Sequence, residues 1–158
     1  MTTIGISGHQ NLPDIARRHA ERDIRALLAS QAEPVTGLSS LAAGADHLFA
    51  QLLLAAGHRL HAVIPCRGYA DTFNPGDLAI YQKLRAAATE VTELDFAEPS
   101  ETSFDAAGKY VAEHCDLLVA VWDGQPAHGL GGTGDAVAHA RALGRDVLIS
   151  WPEGIRRT

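Results

Sequence analysis

The feature that most limits how this chain can fold is its regular alternation of short β-rich runs with amphipathic helical stretches, repeated from end to end. Such alternation builds a parallel sheet covered by helices on both faces. Thr3–Ser7 reads as a first strand, and helical spacing then places Ala16, Ala20, Ile24, Leu27 and Leu28 on one face behind an Asp14 N-cap. The other face, with Arg17, Arg18, Glu21, Arg22 and Arg25, reads as solvated. Residues 34–38 form a second strand that runs into Ser39–Ser40 and a long helix with the stripe Leu41, Ala45, Leu48, Phe49, Leu52, Leu53 and Ala56, stopped by Gly57. RLHAVIP, residues 59–65, is a third, central strand. Asn74–Pro75 opens a helix through about Ala88, since proline fits the first helical position. Thr89–Leu94 is more polar and suits an edge. Thr102 or Ser103 caps a helix bearing Phe104, Ala107 and Val111. Leu117–Trp122 is a fully buried strand, and a Gly-rich loop then leads to a helix with Val137, Ala140 and Leu143 and a last strand at 147–151. The expected architecture is one α/β, Rossmann-like, doubly wound domain over residues 1–158, with a mainly parallel sheet of about six strands.

The 158 residues, 46% apolar and 20% charged, suit one globular core. No run approaches the roughly 20 apolar residues that span a bilayer, and MTTIGISGHQ lacks the charged and apolar segments of a secretory signal. A cytoplasmic protein without a membrane partner is expected. The net charge of −6 argues against a nucleic-acid partner, because phosphate neutralisation supplies most of that affinity. A single phosphate held by a few backbone N–H groups stays open. Cys66 and Cys115 fit no zinc or redox spacing and fall at opposite ends of parallel strands, so no disulfide is expected. The eight histidines form no metal motif, and no metal site is expected.

Ligands of open parallel sheets bind beyond the carboxyl ends of the strands, where strand order reverses. Three loops suit that place. In Ser7-Gly8-His9-Gln10-Asn11, Gly8 either admits a ligand to the backbone or serves a tight turn. In Gly37-Leu38-Ser39-Ser40, followed by Ala42, Ala43 and Gly44, the hydroxyls either hold an anion or cap a helix. Gly129-Leu130-Gly131-Gly132-Thr133-Gly134 carries four glycines in six residues, more than a turn requires. Free N–H groups and the dipole make helix starts anion sites. The third loop matches G-x-G-x-x-G with Glu153 some twenty residues on, but it follows the fifth strand rather than the first, which disfavours a nicotinamide dehydrogenase. No Walker A sequence is present. His9 reads as a phosphate contact or proton carrier, Trp122–Asp123 as a stacking face and an acceptor or as core, and Arg67 with Tyr69 as groups able to close over a ligand.

Three segments together resemble the SLOG superfamily, the Rossmann-like group of the DNA-processing DprA proteins and the LOG cytokinin-activating phosphoribohydrolases. TGLSSLAAGAD, residues 36–46, with His47 and HAVIPC, is similar to the DprA-like Ser-Gly-Leu-Ala-x-Gly-Ile-Asp pattern. IGISGH, residues 4–9, corresponds to the first strand and Gly-Ser-Arg turn. CDLLVAVWDG with GLGGTGDAVAHARALGRDVLI resembles the strand, Gly-Gly loop and helix of LOG-like members. The likeness implies a nucleotide-type ligand, no further cofactor, and self-association into a homo-oligomer. The LOG-like pattern places Glu three residues after Gly-Thr. Here that position is Ala136, preceded by Asp135, and N-glycosidic cleavage needs a carboxylate.

The leading reading is therefore a sensor or carrier that binds a phosphate-bearing nucleotide or derivative, with Ser7, Gly8, His9, Gly37, Ser39, Ser40, Gly44, Asp123, Gly131, Gly132 and Thr133 as binding residues. The alternative is a nucleoside-monophosphate N-glycosidase with Asp135, Asp123 or Asp46 as its carboxylate. Asp46 equally suits a ribose contact or a tie to the Ser39–Ser40 loop. A third reading, single-stranded DNA binding, wants a basic groove with stacking aromatics.

Overall fold

A computed structural model describes residues 2–126 and 132–156. The chain runs β1 (Thr3–Gly8), α1 (Asp14–Ala29), β2 (Thr36–Ser39), α2 (Ala45–Ala55), β3 (Arg59–Ile64), a 3₁₀ turn (Tyr69–Thr72), α3 (Pro75–Ala87), β4 (Glu90–Glu93), α4 (Glu101–His114), β5 (Leu117–Val121), α5 (Thr133–Ala142) and β6 (Asp146–Ile149). The strands form one sheet in the order β4-β3-β2-β1-β5-β6, and every pair is parallel. This is the α/β Rossmann-like architecture that the alternation predicts. No helix among the described residues is long and apolar enough to cross a membrane.

Period-two alternation along the strands sorts side chains between two cores. Ile4, Ile6, Leu60, Ala62, Ile64, Val119 and Val121 pack under α1, α2 and α3. Leu38, Val63, Leu118 and Ala120 pack under α4 and α5 with Val111, Ala112, Val137 and Ala140. Glycine appears on the strands where a helix comes too close for a side chain. A Cβ on Gly37 would collide with Leu53 and stand 2.8 Å from the Phe49 ring. Cys66 and Cys115 are buried free thiols.

Several expected boundaries shift for local reasons. Helix α2 does not start at Ser39–Ser40, and Leu41 is not on its stripe. Ser39 ends β2, Leu41 takes a left-handed φ of 57°, and Gly44 at φ 83° turns the chain into the helix. Asp14 is the first residue of α1, and Pro13 takes the cap position. Helix α4 is capped by Ser100 rather than Thr102 or Ser103. Ser100 accepts from the Ser103 N–H, and the Ser103 hydroxyl accepts from the Ser100 N–H, a reciprocal capping box. Phe104 and Leu143, both read as inward, are exposed.

From β1 the chain steps outward through β2, β3 and β4, and α4 then carries it back to β5 on the other flank of β1. Strand order therefore reverses between β1 and β5.

Candidate functional site

At that reversal the carboxyl ends of the strands open into a cleft of about 1210 Å³. Its floor is the β1 exit, Ser7 to Pro13. One wall is the β2–α2 loop with Ser40, Ala42 to Gly44 and Asp46. The far side is built from the segment after β3, with Tyr69 and Phe73, and from the starts of α4 and α5.

The floor is anchored across the switch point. The His9 N–H donates to the Val121 carbonyl at 3.2 Å, and the His9 carbonyl accepts from the Ala45 N–H at 3.2 Å. His9 Nε2 lies 3.3 Å from Asp123 Oδ1 and 3.2 Å from the Asp123 amide nitrogen. The amide needs a lone pair on Nε2 and the carboxylate needs a hydrogen there, so the two contacts are alternatives that belong to different tautomers of the ring. The ring also meets Trp151 edge-on at 5.5 Å. Ser7 Oγ reaches Thr133 Oγ1 at 3.3 Å and joins β1 to the start of α5.

The β2–α2 loop is held from within. Ser39 Oγ accepts from the Leu41 N–H at 3.0 Å and is fully buried. His47 Nε2–H donates to the Leu41 carbonyl at 2.8 Å, a bond that ties down the costly left-handed Leu41. Burial pushes the His47 imidazole below its ordinary range, consistent with a neutral ring donating to that carbonyl.

Asp46 lies between this loop and the cleft. Its Oδ2 stands 3.4 Å from both Ser40 Oγ and the Ala42 amide nitrogen. Burial raises its pKa from 3.8 to about 7, against the opposing hydrogen bonds from Ala42, Ser39 and Ser40. The neighbouring Tyr69 phenol is pushed well above its usual range, first by burial and then by the charge of Asp46.

Seven residues singled out from sequence line the cleft: Ser7, Gly8, His9, Ser40, Gly44, Gly132 and Thr133, together with the carboxylate candidate Asp46. Gly37 and Ser39 do not line it; each serves packing or the loop. Gly8 is needed for close packing of β1 on α2, because a Cβ there would collide with Ala45 and stand 2.9 Å from Val121 Cβ. Gly131 lies outside the described residues. Asp123 is turned to His9 and the Gln125 N–H. Asp135 is exposed on α5 and does not line the cleft, and Ala136 is buried. Trp122 bonds Gln125 through Nε1 and lies against Gly134, whose missing side chain makes room for the ring. Arg67 points to Asp95, whereas Tyr69 is buried in the cleft wall.

Two of the lining residues that sequence reasoning did not place at the cleft bear on ligand chemistry. Arg17, assigned to the solvated face of α1, is the only Lys or Arg lining the cleft among the described residues, and it joins none of the ion pairs described there. Phe104 presents a ring 38% exposed at the rim, 6.1 Å from Tyr69. Helical periodicity separates inside from outside but cannot tell bulk solvent from a cleft.

No protein-family model matches the chain, and no curated protein matches it. Solved structures do. DNA processing protein A from Streptococcus pneumoniae superposes with a TM-score of 0.71 at 19% identity, covering 94% of this chain and 50% of that one. DNA processing protein A from Helicobacter pylori, described for its single-stranded DNA binding mode, gives 0.65 at 18% identity over 94% of this chain and 64% of that one. The molybdenum cofactor carrier protein of Chlamydomonas reinhardtii gives 0.60 at 16% identity over 94% and 75%. The chain thus spans half the length of the first of these and under two thirds of the second. The likeness defines the class by fold alone: a Rossmann-like α/β sheet, here with an open cleft at its switch point.

Proposed function

We propose that the cleft binds a phosphate-bearing nucleotide or nucleotide derivative, and that the protein acts as a sensor or carrier for it. The observation that carries this reading is Arg17, a guanidinium facing the cleft without a carboxylate partner among the described residues. It stands in a pocket that the first residues of α2, α4 and α5 also line. A guanidinium with backbone N–H groups at helix starts is chemistry suited to phosphate. The exposed Phe104 ring at the rim offers a face for a base. Carrying a cofactor is also the role that names the molybdenum cofactor carrier protein, which shares the fold. No further cofactor enters the proposal.

The glycosidase reading has weaker support. Of its three carboxylates only Asp46 lines the cleft. Single-stranded DNA binding is the other reading, favoured by the likeness to the Helicobacter pylori protein and disfavoured by the net charge of −6.

Native mass spectrometry with nucleoside mono- and diphosphates, NAD, ADP-ribose and an oligodeoxynucleotide tests all three. A stoichiometric adduct of an intact small molecule is expected, lost or weakened about tenfold or more in Arg17→Ala, as removal of a charge-assisted bond predicts. Free base and ribose phosphate among the products would make the protein a glycosidase. Binding of the oligonucleotide alone would favour DNA. The same spectra read the expected homo-oligomer.

A further inference from the structure

We propose that Asp46 meets the phosphate-bearing ligand as a neutral carboxylic acid that donates its proton in a hydrogen bond, so that binding takes up a proton from solvent. The inference rests on the binding reading above and assigns this residue a donor role in it.

The carboxyl is buried, 4% exposed, with no cation paired to it among the described residues, yet it lines the cleft. The loop offers it hydrogen bonds from Ser39, Ser40 and Ala42, of which Ser40 Oγ and the Ala42 amide nitrogen stand at the long distance of 3.4 Å. It sits in the first turn of α2, where free N–H groups favour a carboxylate, but burial outweighs them and holds the group at about 7. The surrounding charges do not compensate. From α3 comes Asp77 and from α4 Glu101, both acidic. After β3 come the Tyr69 phenol and the Cys66 thiol, each raised by burial. His9, at the end of β1, is turned to Asp123, and His47, on α2 itself, is turned to the Leu41 carbonyl. Arg17 on α1 is the one full positive charge lining the cleft among the described residues, and no ion pair among them links it to Asp46.

A phosphate entering this cleft brings a negative charge near Asp46, which disfavours the carboxylate and favours the acid. The acid has one O–H to give, and within the loop only the neutral hydroxyls of Ser39 and Ser40 could accept it, Ser40 Oγ at a long 3.4 Å. A phosphate oxygen supplies a stronger acceptor. Binding and protonation are then linked, each raising the other.

The test is isothermal titration calorimetry of the full chain with ADP-ribose, whose diphosphate bears no group that titrates near neutrality. Titrations at pH 7.5 in buffers of different ionisation enthalpy read the protons exchanged. Uptake of roughly 0.8 proton per ligand is expected, and affinity falling about tenfold per pH unit above pH 8. Asp46→Asn keeps an N–H donor and loses the titration, so its uptake should fall close to zero and its affinity should become flat with pH. Proton release or no exchange in the parent protein overturns the proposal, and so does unchanged uptake in Asp46→Asn. A ¹³C-carboxyl NMR titration of the free protein is independent of any ligand, and an Asp46 midpoint below pH 5 overturns the proposal by itself. No adduct with any compound at any pH sinks the binding reading and this inference with it; binding without uptake sinks this inference alone.

Discussion

Replacing Gly8 by alanine separates two roles that a glycine beside a cleft can have. A methyl group at this position meets Ala45 Cβ at less than contact distance, Val121 Cβ at 2.9 Å and the Val121 carbonyl at 3.2 Å. These atoms are fixed to the backbones of α2 and β5, so no side-chain rotation relieves them. Overpacking of this kind costs about 1–3 kcal/mol, and immovable neighbours put Gly8→Ala near the upper end. For a chain of this size, about 3 kcal/mol lowers the melting temperature by roughly 6–12 °C. Thermal unfolding followed by circular dichroism reads the shift. The double variant Gly8→Ala/Ala45→Gly removes one of the two colliding carbons and should recover on the order of 1 kcal/mol more than additivity allows. A Gly8→Ala protein melting within a degree or two of the parent, yet deprived of its ligand, would refute the packing argument and return Gly8 to the binding surface.

The other expectations concern the walls of the cleft. Asp46→Asn should raise stability at pH 8 and have little effect near pH 4. The folded protein holds the Asp46 proton up to about pH 7 while the unfolded chain releases it near 3.8, so stability contributed by this group falls as pH rises between those values. The difference is on the order of a few kcal/mol, read by urea unfolding of parent and variant at several pH values. His47→Phe keeps a ring against Phe73 but leaves the buried Leu41 carbonyl without its donor, and should cost about 1–3 kcal/mol by the same assay. Ser100→Ala removes half of the α4 capping box and should cost about 1 kcal/mol, with a lower melting temperature as the readout.

The sheet was legible because its signal is periodic. Six strands and five α-helices follow the alternation of the sequence, and the glycines and prolines at 57, 75 and 144 mark real helix ends. What the sequence hid was set by contacts between distant residues. Gly8 and Gly37 look like ligand glycines until the helix packed against each strand is known. Ser39 and Ser40 look like a helix start until Leu41 turns left-handed under a hydrogen bond from His47. Asp135 sits beside the expected catalytic position, yet one residue of helix rotation leaves it exposed while Ala136 is buried. Arg17 carries no local mark at all; only the approach of α2 and α4 makes its surroundings a cleft rather than open solvent.

The pairing of β1 with β5 also bears on how the protein is made. Ile4 aligns with Leu117, and the Asp116 carboxylate accepts from the Thr3 N–H 113 residues away at 2.9 Å. Closing a loop of that length carries a large entropic cost before any contact repays it. On the ribosome, β1 to β4 and their helices emerge and can associate while the far wall of the cleft is still unsynthesised. The β1 exit, the Asp123 partner of His9 and the Thr133 partner of Ser7 come together only when β5 inserts beside β1. The cleft is in that sense complete only when folding has finished.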